Sequence, residues 1–181
     1  MALRATVFKA ELQVSDMDRG YYHDHSLTVA RHPSENDERM MVRLLAFALH
    51  ADEALVFGNK IGNENEPDLW KKDLTGAIEL WIDVGQPDEK QVRKACGRSR
   101  QVFVYATGGH SADVWWGQAA KGLEAAKNLT VMSLPAAAPA AFAAMAQRSM
   151  KLQFTIQDGQ AWVSDGNNTV HLVLRPLLRP S

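Results

Sequence analysis

The sequence has one cysteine, no long apolar run and no excess of charge of either sign. Cys96 alone excludes an intramolecular disulfide and a cysteine-only metal site, and so few thiols fit a reducing compartment. The net charge of −1, from 20 basic and 21 acidic residues, excludes a global attraction to nucleic acid or to an anionic membrane. Any binding of a polyanion therefore has to come from a local basic patch.

No segment has the pattern of a secretory signal or of a membrane span. The first residues, MALRATVFKAELQVSDMD, lack a basic region followed by an apolar run. The stretch of lowest polarity, SLPAAAPAAFAAMA, is interrupted by two prolines and is too short to cross a bilayer. We therefore expect a cytoplasmic protein that does not associate with a membrane.

The order of the hydrophobic patterns predicts a mixed fold. Two strands around the turn SDMDRG form an N-terminal hairpin, and a helix follows with Ser34 as its N-cap. Strands then alternate with helices, and the C-terminal part contains antiparallel strands with a turn at Asp158-Gly159. We find no repeat and no linker. The prediction is a single domain over residues 1–181, of α/β or α+β class with a mixed sheet.

Glu38 falls on the apolar stripe of the first predicted helix. It precedes Met41 by three residues and Leu45 by seven, so it should face the core. A carboxylate there has to be paired, hydrogen-bonded or bound to a metal, because burying it alone is costly. Pairing with Arg39 or Arg43 and binding of a metal are the two alternatives.

The stretch IELWIDVGQP, residues 78–87, predicts a strand with one apolar face. Glu79, Trp81 and Asp83 share the other face, because side chains on a strand repeat every two residues. The two carboxylates would lie about 13 Å apart along an extended strand, so they hold one ion only if the strand bends. A solvated surface and a functional site are the two interpretations.

Basic side chains follow this strand on one face of the next predicted helix. Lys90, Arg93 and Lys94 share that face by their spacing. Carboxylates suited to a hard cation thus precede a helix suited to phosphates, which is the combination that metal-aided phosphodiester cleavage needs. The alternative is an ordinary solvated helix. Arg93, Lys94 and Arg98 lie near Cys96 in sequence and favour a lowered pKa of its thiol, but no base partner indicates a catalytic cysteine.

Four long strings resemble the YaeQ family of small bacterial proteins, and together they span nearly the whole chain. They are RHPSENDERMMVRLLAFALHADEALVFG, GAIELWIDVGQPDEKQVRKAC, VWWGQ and TIQDGQAWVSD. The resemblance implies a variant of the PD-(D/E)XK restriction-endonuclease-like fold. This fold has an αβββαβ core, to which the N-terminal hairpin and the C-terminal antiparallel strands are added. It describes an architecture and leaves activity open.

The resemblance also implies roles for individual residues. Glu38 is the helix carboxylate and Asp83 the third-strand acid, while the intervening acid is Asp68, Asp73 or Glu79. Glycine occupies position 85, where the pattern has lysine. Gln86, Lys90 or Lys94 would then supply the polar or cationic group. The implied catalytic residues are Glu38, Glu79, Asp83, Gln86 and Lys90, and the implied ligands of Mg²⁺ or Mn²⁺ are Glu38, Asp73, Glu79 and Asp83.

Two functions are consistent with these residues. The first is metal-dependent hydrolysis of phosphodiester bonds in DNA or RNA, with the phosphates bound by Lys90, Arg93, Lys94 and Arg98. The second is a non-catalytic module that binds nucleic acid or a protein of the transcription or repair machinery. The absence of the lysine favours the second function, and the clustered carboxylates favour the first.

Overall fold

The chain folds into two compact units in a computed structural model that describes residues 4–180. The first unit extends to Ala51 and also contains Ala137–Leu174, and the second contains Asp52–Ala136 and the chain from Arg175 onwards. Each unit has its own mixed sheet, so the predicted mixed α and β class is confirmed. The assignment of residues 1–181 to a single domain stays a prediction.

Strands and helices of the described residues are numbered in chain order. They are β1 (Thr6–Asp16), β2 (Tyr21–Arg31), α1 (Asp37–Leu49), β3 (Leu55–Phe57), β4 (Leu69–Lys72), β5 (Ile78–Val84), α2 (Glu89–Arg98), β6 (Ser99–Ala106), α3 (His110–Leu123), β7 (Leu129–Ser133), α4 (Ala138–Ala143), β8 (Ser149–Gln157), β9 (Gln160–Ser164), β10 (Thr169–Val173) and β11 (Arg175–Leu178). Within residues 4–180, no helix has the length and apolar character that crossing a membrane requires.

The first unit is built on a five-stranded sheet in the order β10-β9-β8-β1-β2. The predicted N-terminal hairpin is confirmed, since β1 and β2 pair antiparallel along their whole length. β1 also pairs with β8 in parallel, which joins the N-terminal hairpin to the C-terminal strands. Alternate residues of β1 are buried on the face towards α1, as period-2 hydrophobicity requires: Phe8, Ala10, Leu12 and Val14.

α1 begins two residues later than the sequence pattern predicts. Its N-cap is Asn36, whose side-chain oxygen accepts a hydrogen bond of 2.9 Å from the backbone N–H of Arg39, and Ser34 lies outside the helix. Every residue from Met40 to Ala48 is buried, so the helix is enclosed on all sides rather than on one stripe. Glu38 is exposed, and its predicted position on the core face is wrong.

The second unit is built on a six-stranded sheet in the order β11-β7-β6-β5-β4-β3. β3, β4 and β5 form an antiparallel meander, whereas β5, β6 and β7 run parallel and are joined through α2 and α3. Parallel strands with crossover helices are covered on both faces, which explains why β5 is buried almost throughout. Val92 and Ala95 of α2 pack on Trp81, Val102 and Val104 of this sheet.

Candidate functional site

Asp83 lies at the carboxyl end of β5 and is fully buried, with 0% of its surface exposed. Trp81, on the same face of the strand, is also buried and packs against α2. A solvated surface is therefore the wrong interpretation for these two residues. Glu79 is half-buried on the same face, and its carboxylate lies 3.5 Å from the ammonium of Lys71.

Three N–H donors surround the carboxylate of Asp83. The indole N–H of Trp81 donates to Oδ2 at 3.0 Å, and the Lys60 ammonium donates to the same oxygen at 3.3 Å. The backbone N–H of Asp68 lies 3.4 Å from Oδ1. Burial raises the pKa of Asp83 above its ordinary value and the charge of Asp68 adds to the rise, whereas the Lys60 ammonium opposes it.

Asp68 is the second buried carboxylate of this cluster, with 2% of its surface exposed. The register of the antiparallel pair sets Leu69 against Ile82, so the residue before β4 comes opposite Asp83. Asp68 Oδ2 accepts a hydrogen bond of 2.9 Å from the backbone N–H of Val84. Of the three alternatives for the intervening acid, the structure brings Asp68 next to Asp83.

Lys60 is the functional candidate that sequence reasoning missed. It lies in the connection between β3 and β4, and 13% of its side chain is exposed. Besides Asp83, its ammonium contacts Gln91 Oε1 at 3.5 Å. Sequence reasoning looked for the missing cation after β5, whereas this lysine precedes Asp83 by 23 residues. A single lysine in the polar stretch GNKIGNENE has no periodicity that could have indicated the contact.

Two of the three residues expected to replace the lysine, Gln86 and Lys90, have other surroundings in the second unit. Gln86 is exposed, and its amide N–H₂ donates to Thr107 O and Ser111 Oγ, both at 2.9 Å. Lys90 is exposed in the first turn of α2. The side chain of Gln86 thus contacts the connection between β6 and α3 and the start of α3. Lys60 is the residue that lies beside Asp83.

Gly85 has a backbone φ of +95°, which explains why no lysine occupies this position. β5 ends at Val84, and the N–H of Gly85 still donates to Tyr105 O of the neighbouring strand at 2.9 Å. A side chain at this φ is strained even though no atom lies within 4 Å of the place of a Cβ. The cation beside Asp83 therefore has to come from another segment.

We predict that Gly85→Ala lowers the free energy of unfolding by about 1 kcal/mol, because alanine has to adopt a left-handed conformation. Gly97→Ala is the matched control: this glycine lies within α2 and has open space around the place of a Cβ. The control should raise the free energy of unfolding by about 0.5–1 kcal/mol. Urea denaturation followed by circular dichroism measures both values, and equal effects would contradict the backbone explanation.

The remaining predicted metal ligands have other surroundings. Asp73 closes the turn between β4 and β5, where one carboxylate oxygen accepts bonds from the Thr75 N–H, the Thr75 hydroxyl and the Ala77 N–H at 2.6–3.0 Å. These bonds, chiefly the one from the Thr75 hydroxyl, lower the pKa of Asp73. Glu38 belongs to the first unit. Over residues 4–180, no group of three or more His, Cys, Asp or Glu side chains is placed to hold a metal ion.

Glu35 is the buried, paired acid that was expected at Glu38. Its side chain is 0% exposed, and its two oxygens lie 2.5 Å from Nη2 and 2.9 Å from Nε of Arg43. Arg39 Nη1 also donates to it at 2.8 Å. The arginines that were named as alternative partners of Glu38 thus both contact Glu35, the residue that precedes the N-cap of α1.

Two of the four basic residues of α2 contact the connection between β3 and β4. Lys94 Nζ donates to Asn65 Oδ1 at 3.1 Å, and Arg98 Nη1 donates to Asn65 O at 3.2 Å. The Arg98 guanidinium also lies 5.4 Å from the centre of the Trp81 ring. Arg93 forms an exposed pair of 3.7 Å with Glu89.

Comparison with known proteins places the chain in a family. Residues 1–174 match the family model described as YaeQ protein. The chain belongs to the YaeQ family. It is 42% identical to YaeQ of Escherichia coli (strain K12) and to YaeQ of Salmonella typhi, over 181 residues that cover 100% of each protein. The predicted family is confirmed.

Two solved YaeQ structures are similar to this chain. The crystal structure of YaeQ from Xanthomonas axonopodis pv. citri has a TM-score of 0.94 and 51% sequence identity, and it covers 97% of this chain and 99% of its own. YaeQ from Pseudomonas syringae has a TM-score of 0.92 and 34% identity, with 97% of each chain covered. The fold of this chain is therefore the fold of the YaeQ family.

Cys96 of this YaeQ-family chain has the opposite pKa shift from the one expected. The thiol is half-buried within α2, and this burial raises its pKa to about 11. The basic residues around it in sequence do not compensate for the lost hydration, so the expected decrease is wrong.

We predict that Cys96 reacts slowly with iodoacetamide at neutral pH, with about 100-fold less thiolate than an ordinary cysteine. The labelling rate should keep rising with pH until about 11, since only the thiolate is nucleophilic. Mass spectrometry of the labelled protein measures the rate, and the urea-unfolded protein is the control. Equal rates in the folded and unfolded protein at pH 7 would contradict this prediction.

Proposed function

We propose that this YaeQ-family protein hydrolyses phosphodiester bonds of DNA or RNA with Mg²⁺ or Mn²⁺, at a centre formed by Asp68, Asp83 and Lys60. The observation that supports this most is the pair between Lys60 and the fully buried Asp83, at 3.3 Å. It supplies the acid and the lysine that the PD-(D/E)XK pattern requires, although the lysine comes from a different segment. A buried pair of this kind is costly to keep, and it is typical of functional sites.

The element order of the second unit supports a variant of the PD-(D/E)XK core. An antiparallel meander of β3, β4 and β5 is followed by α2 and then by β6, which is parallel to β5. This is the βββαβ part of the implied αβββαβ core. Pro67 and Asp68 directly precede β4, and the register of β4 and β5 brings Asp68 opposite Asp83 at the end of β5.

The donor set of this centre fits a hard divalent cation. Asp68 and Asp83 offer carboxylate oxygens, which are the ligands that Mg²⁺ takes together with water molecules. These two residues would hold the ion, and Glu38, Asp73 and Glu79 stay predicted ligands. When bound, such an ion polarises the phosphoryl oxygens and lowers the pKa of a water molecule.

Lys60 would bind and orient the scissile phosphate. Its ammonium is held beside Asp83 and Gln91 while part of its side chain still reaches solvent. A fixed positive charge of this kind stabilises the negative charge that develops on a phosphate under attack. The predicted catalytic roles of Gln86 and Lys90 have no such contact to support them.

A second candidate is a module that binds nucleic acid or a protein without turnover. It is favoured by the surroundings of Asp83, whose Oδ2 already accepts hydrogen bonds from Trp81 and Lys60. A carboxylate satisfied by internal donors can serve as a structural link between β5 and the β3–β4 connection. This candidate predicts salt-dependent binding with no cleavage.

Substitution of Lys60 by methionine tests the proposed hydrolysis. Wild-type protein should cleave single-stranded or double-stranded DNA or RNA in Mn²⁺ and not in EDTA. Lys60→Met should reduce the rate by about 100-fold or more, as expected when one fixed electrostatic group is lost. Methionine keeps most of the apolar volume of lysine, and Asp83 keeps the hydrogen bonds from the Trp81 indole and the Asp68 N–H, so the variant should fold with reduced stability, which circular dichroism checks before the assay.

Lys121→Met, an exposed lysine of α3, is the matched control and should cleave at the wild-type rate. Hydrolysis is excluded if wild-type protein cuts no nucleic acid in Mg²⁺ or Mn²⁺, or if Lys60→Met cuts as fast as wild type. Binding without cleavage would establish the second candidate instead.

A further inference from the structure

Residues 61–66 form a short segment, which we call the strap, that lies against α2. Both ends of the surrounding loop are close together, because the N–H of Gly58 donates to Asp68 O at 2.9 Å. A Cβ at Gly58 would lie 2.2 Å from Pro67 O, so only glycine permits this approach. Loops with joined ends and internal contacts behave as compact units on the surface.

Internal hydrogen bonds give the strap its own structure. Asn63 is at their centre: its side-chain oxygen accepts from the Asn65 N–H at 3.0 Å, and its carbonyl accepts from the Glu66 N–H at 3.0 Å. The N–H of Asn63 donates to Asn59 O at 2.8 Å. These bonds join residues close together in the chain, and the contacts with α2 hold the segment that contains them in place.

Three exposed side-chain contacts hold the strap on α2. Gln91 donates to Glu64 at 2.9 Å, and Asn65 accepts from Lys94 and from Arg98 at 3.1 and 3.2 Å. A small cavity of about 50 Å³ lies between the strap and the helix, and Trp81 forms part of its wall. The Trp81 indole N–H donates to Asp83, so Trp81 connects this cavity to the proposed centre.

The chemistry of these contacts favours displacement by a phosphate. Lys94 and Arg98 are cations, yet Asn65 offers them only neutral carbonyl oxygens. In the bonds to Asn65 only the donor is charged, whereas an anionic phosphodiester oxygen would add a charged acceptor and hence a Coulombic attraction to each cation. A phosphate would also bind Arg98 through two parallel N–H donors.

We propose that Lys94 and Arg98 form a binding site for a nucleic-acid phosphate, and that a phosphate bound there replaces Asn65 and releases the strap from α2. Release exposes Trp81 and the approach to Asp83, while Lys60, which precedes the strap, keeps its place beside Asp83. The strap thus couples binding of nucleic acid to opening of the centre. This inference rests on the proposed function for the identity of the ligand.

Hydrogen exchange of residues 61–66, measured by mass spectrometry, tests the release directly. The probe is a short single-stranded DNA in EDTA at low salt, so that no cleavage occurs. The DNA should raise the exchange rate of this segment in wild-type protein by about fivefold or more, because the exposed hydrogen bonds of its amides open more often once the side-chain contacts with α2 are lost. The double variant Lys94→Ala/Arg98→Ala should exchange at the higher rate without DNA and show no further increase with it.

Asn65→Ala separates binding from release. It keeps both cations and the backbone carbonyl that Arg98 contacts, but it removes the side-chain oxygen that competes for Lys94, so it should bind the DNA about two- to fivefold more tightly in fluorescence anisotropy. Lys121→Ala is the matched control and should behave as wild type in both measurements. The exchange of β5 amides should stay unchanged in every variant that folds correctly.

The inference is overturned if the DNA binds wild-type protein without changing the exchange of residues 61–66, or if it does not bind at low salt. Tighter binding by Asn65→Ala together with increased exchange supports it. If the strap opens with DNA but wild-type protein cuts nothing in Mn²⁺, the proposed hydrolysis fails and the inference about the strap stands.

Discussion

Glu35→Ala is expected to lower the free energy of unfolding by about 3–5 kcal/mol. The substitution leaves the Arg43 guanidinium buried without its carboxylate, since Glu35 provides both oxygens at 2.5 and 2.9 Å. Arg43 also donates to Ala30 O at 2.9 Å, so it cannot turn towards solvent without losing the bond to β2. Removal of one partner of a buried ion pair is among the largest effects that a single substitution produces.

Glu38→Ala is the matched control for this prediction. Glu38 is the same residue type, three positions later in the chain, and it is exposed. Its substitution should change the free energy of unfolding by less than about 0.5 kcal/mol. Urea denaturation of both variants, followed by circular dichroism, gives the comparison. If Glu38→Ala were the more destabilising of the two, the assignment of Glu35 as the buried partner would be wrong.

Asp83→Asn is expected to remove Mn²⁺-dependent cleavage, with a loss of about 1,000-fold or more, because several kcal/mol of transition-state stabilisation depend on the metal ion. Asparagine is close to aspartate in size and can still accept the hydrogen bond from the Trp81 indole N–H through its side-chain oxygen. The fold should therefore survive while the negative charge is lost. Initial rates on a labelled oligonucleotide measure the effect.

Asp113→Asn provides the control for the removal of one carboxylate. Asp113 is an exposed residue of α3 in the same unit, where it pairs with Arg175 at 2.6 Å. Its rate should equal that of the wild-type protein. If Asp83→Asn cleaves as fast as Asp113→Asn, Asp83 has no part in the reaction, and its pair with Lys60 is a structural link between β5 and the β3–β4 connection.

In the stretch IELWIDVGQP, strand periodicity predicts which side chains share a face, and contacts with other segments decide whether that face is buried. Alternation along the strand correctly placed Trp81 and Asp83 on one face. The alternation could not predict that this face is buried. Its burial depends on packing against α2 and on the β3–β4 connection, which are other segments of the chain. Acidic residues on a strand are usually solvated, and the burial of a central parallel strand overrides that tendency.

The first helix shows a different kind of error. The apolar residues Met41, Leu44 and Leu45 were correctly assigned to the core. The start of the helix was placed two residues too early, because Ser34 and Asn36 are both good N-caps and only the surrounding structure selects one. The spacing of Glu38 from Met41 and Leu45 predicts a buried acid within the helix, whereas the buried acid is Glu35, which precedes the helix.

By itself the sequence determined the family, the mixed α and β class, the N-terminal hairpin and Asp83 as an acid at the end of a core strand. These features depend on residue identity and on periodicities of two or 3.6 residues, which are local properties of the chain. Only the tertiary structure decided that Asp68 lies opposite Asp83 and that the ammonium of Lys60 lies beside the Asp83 carboxylate. Strand register and loop closure set those contacts, and they join residues 15 and 23 positions apart, beyond the reach of any local pattern.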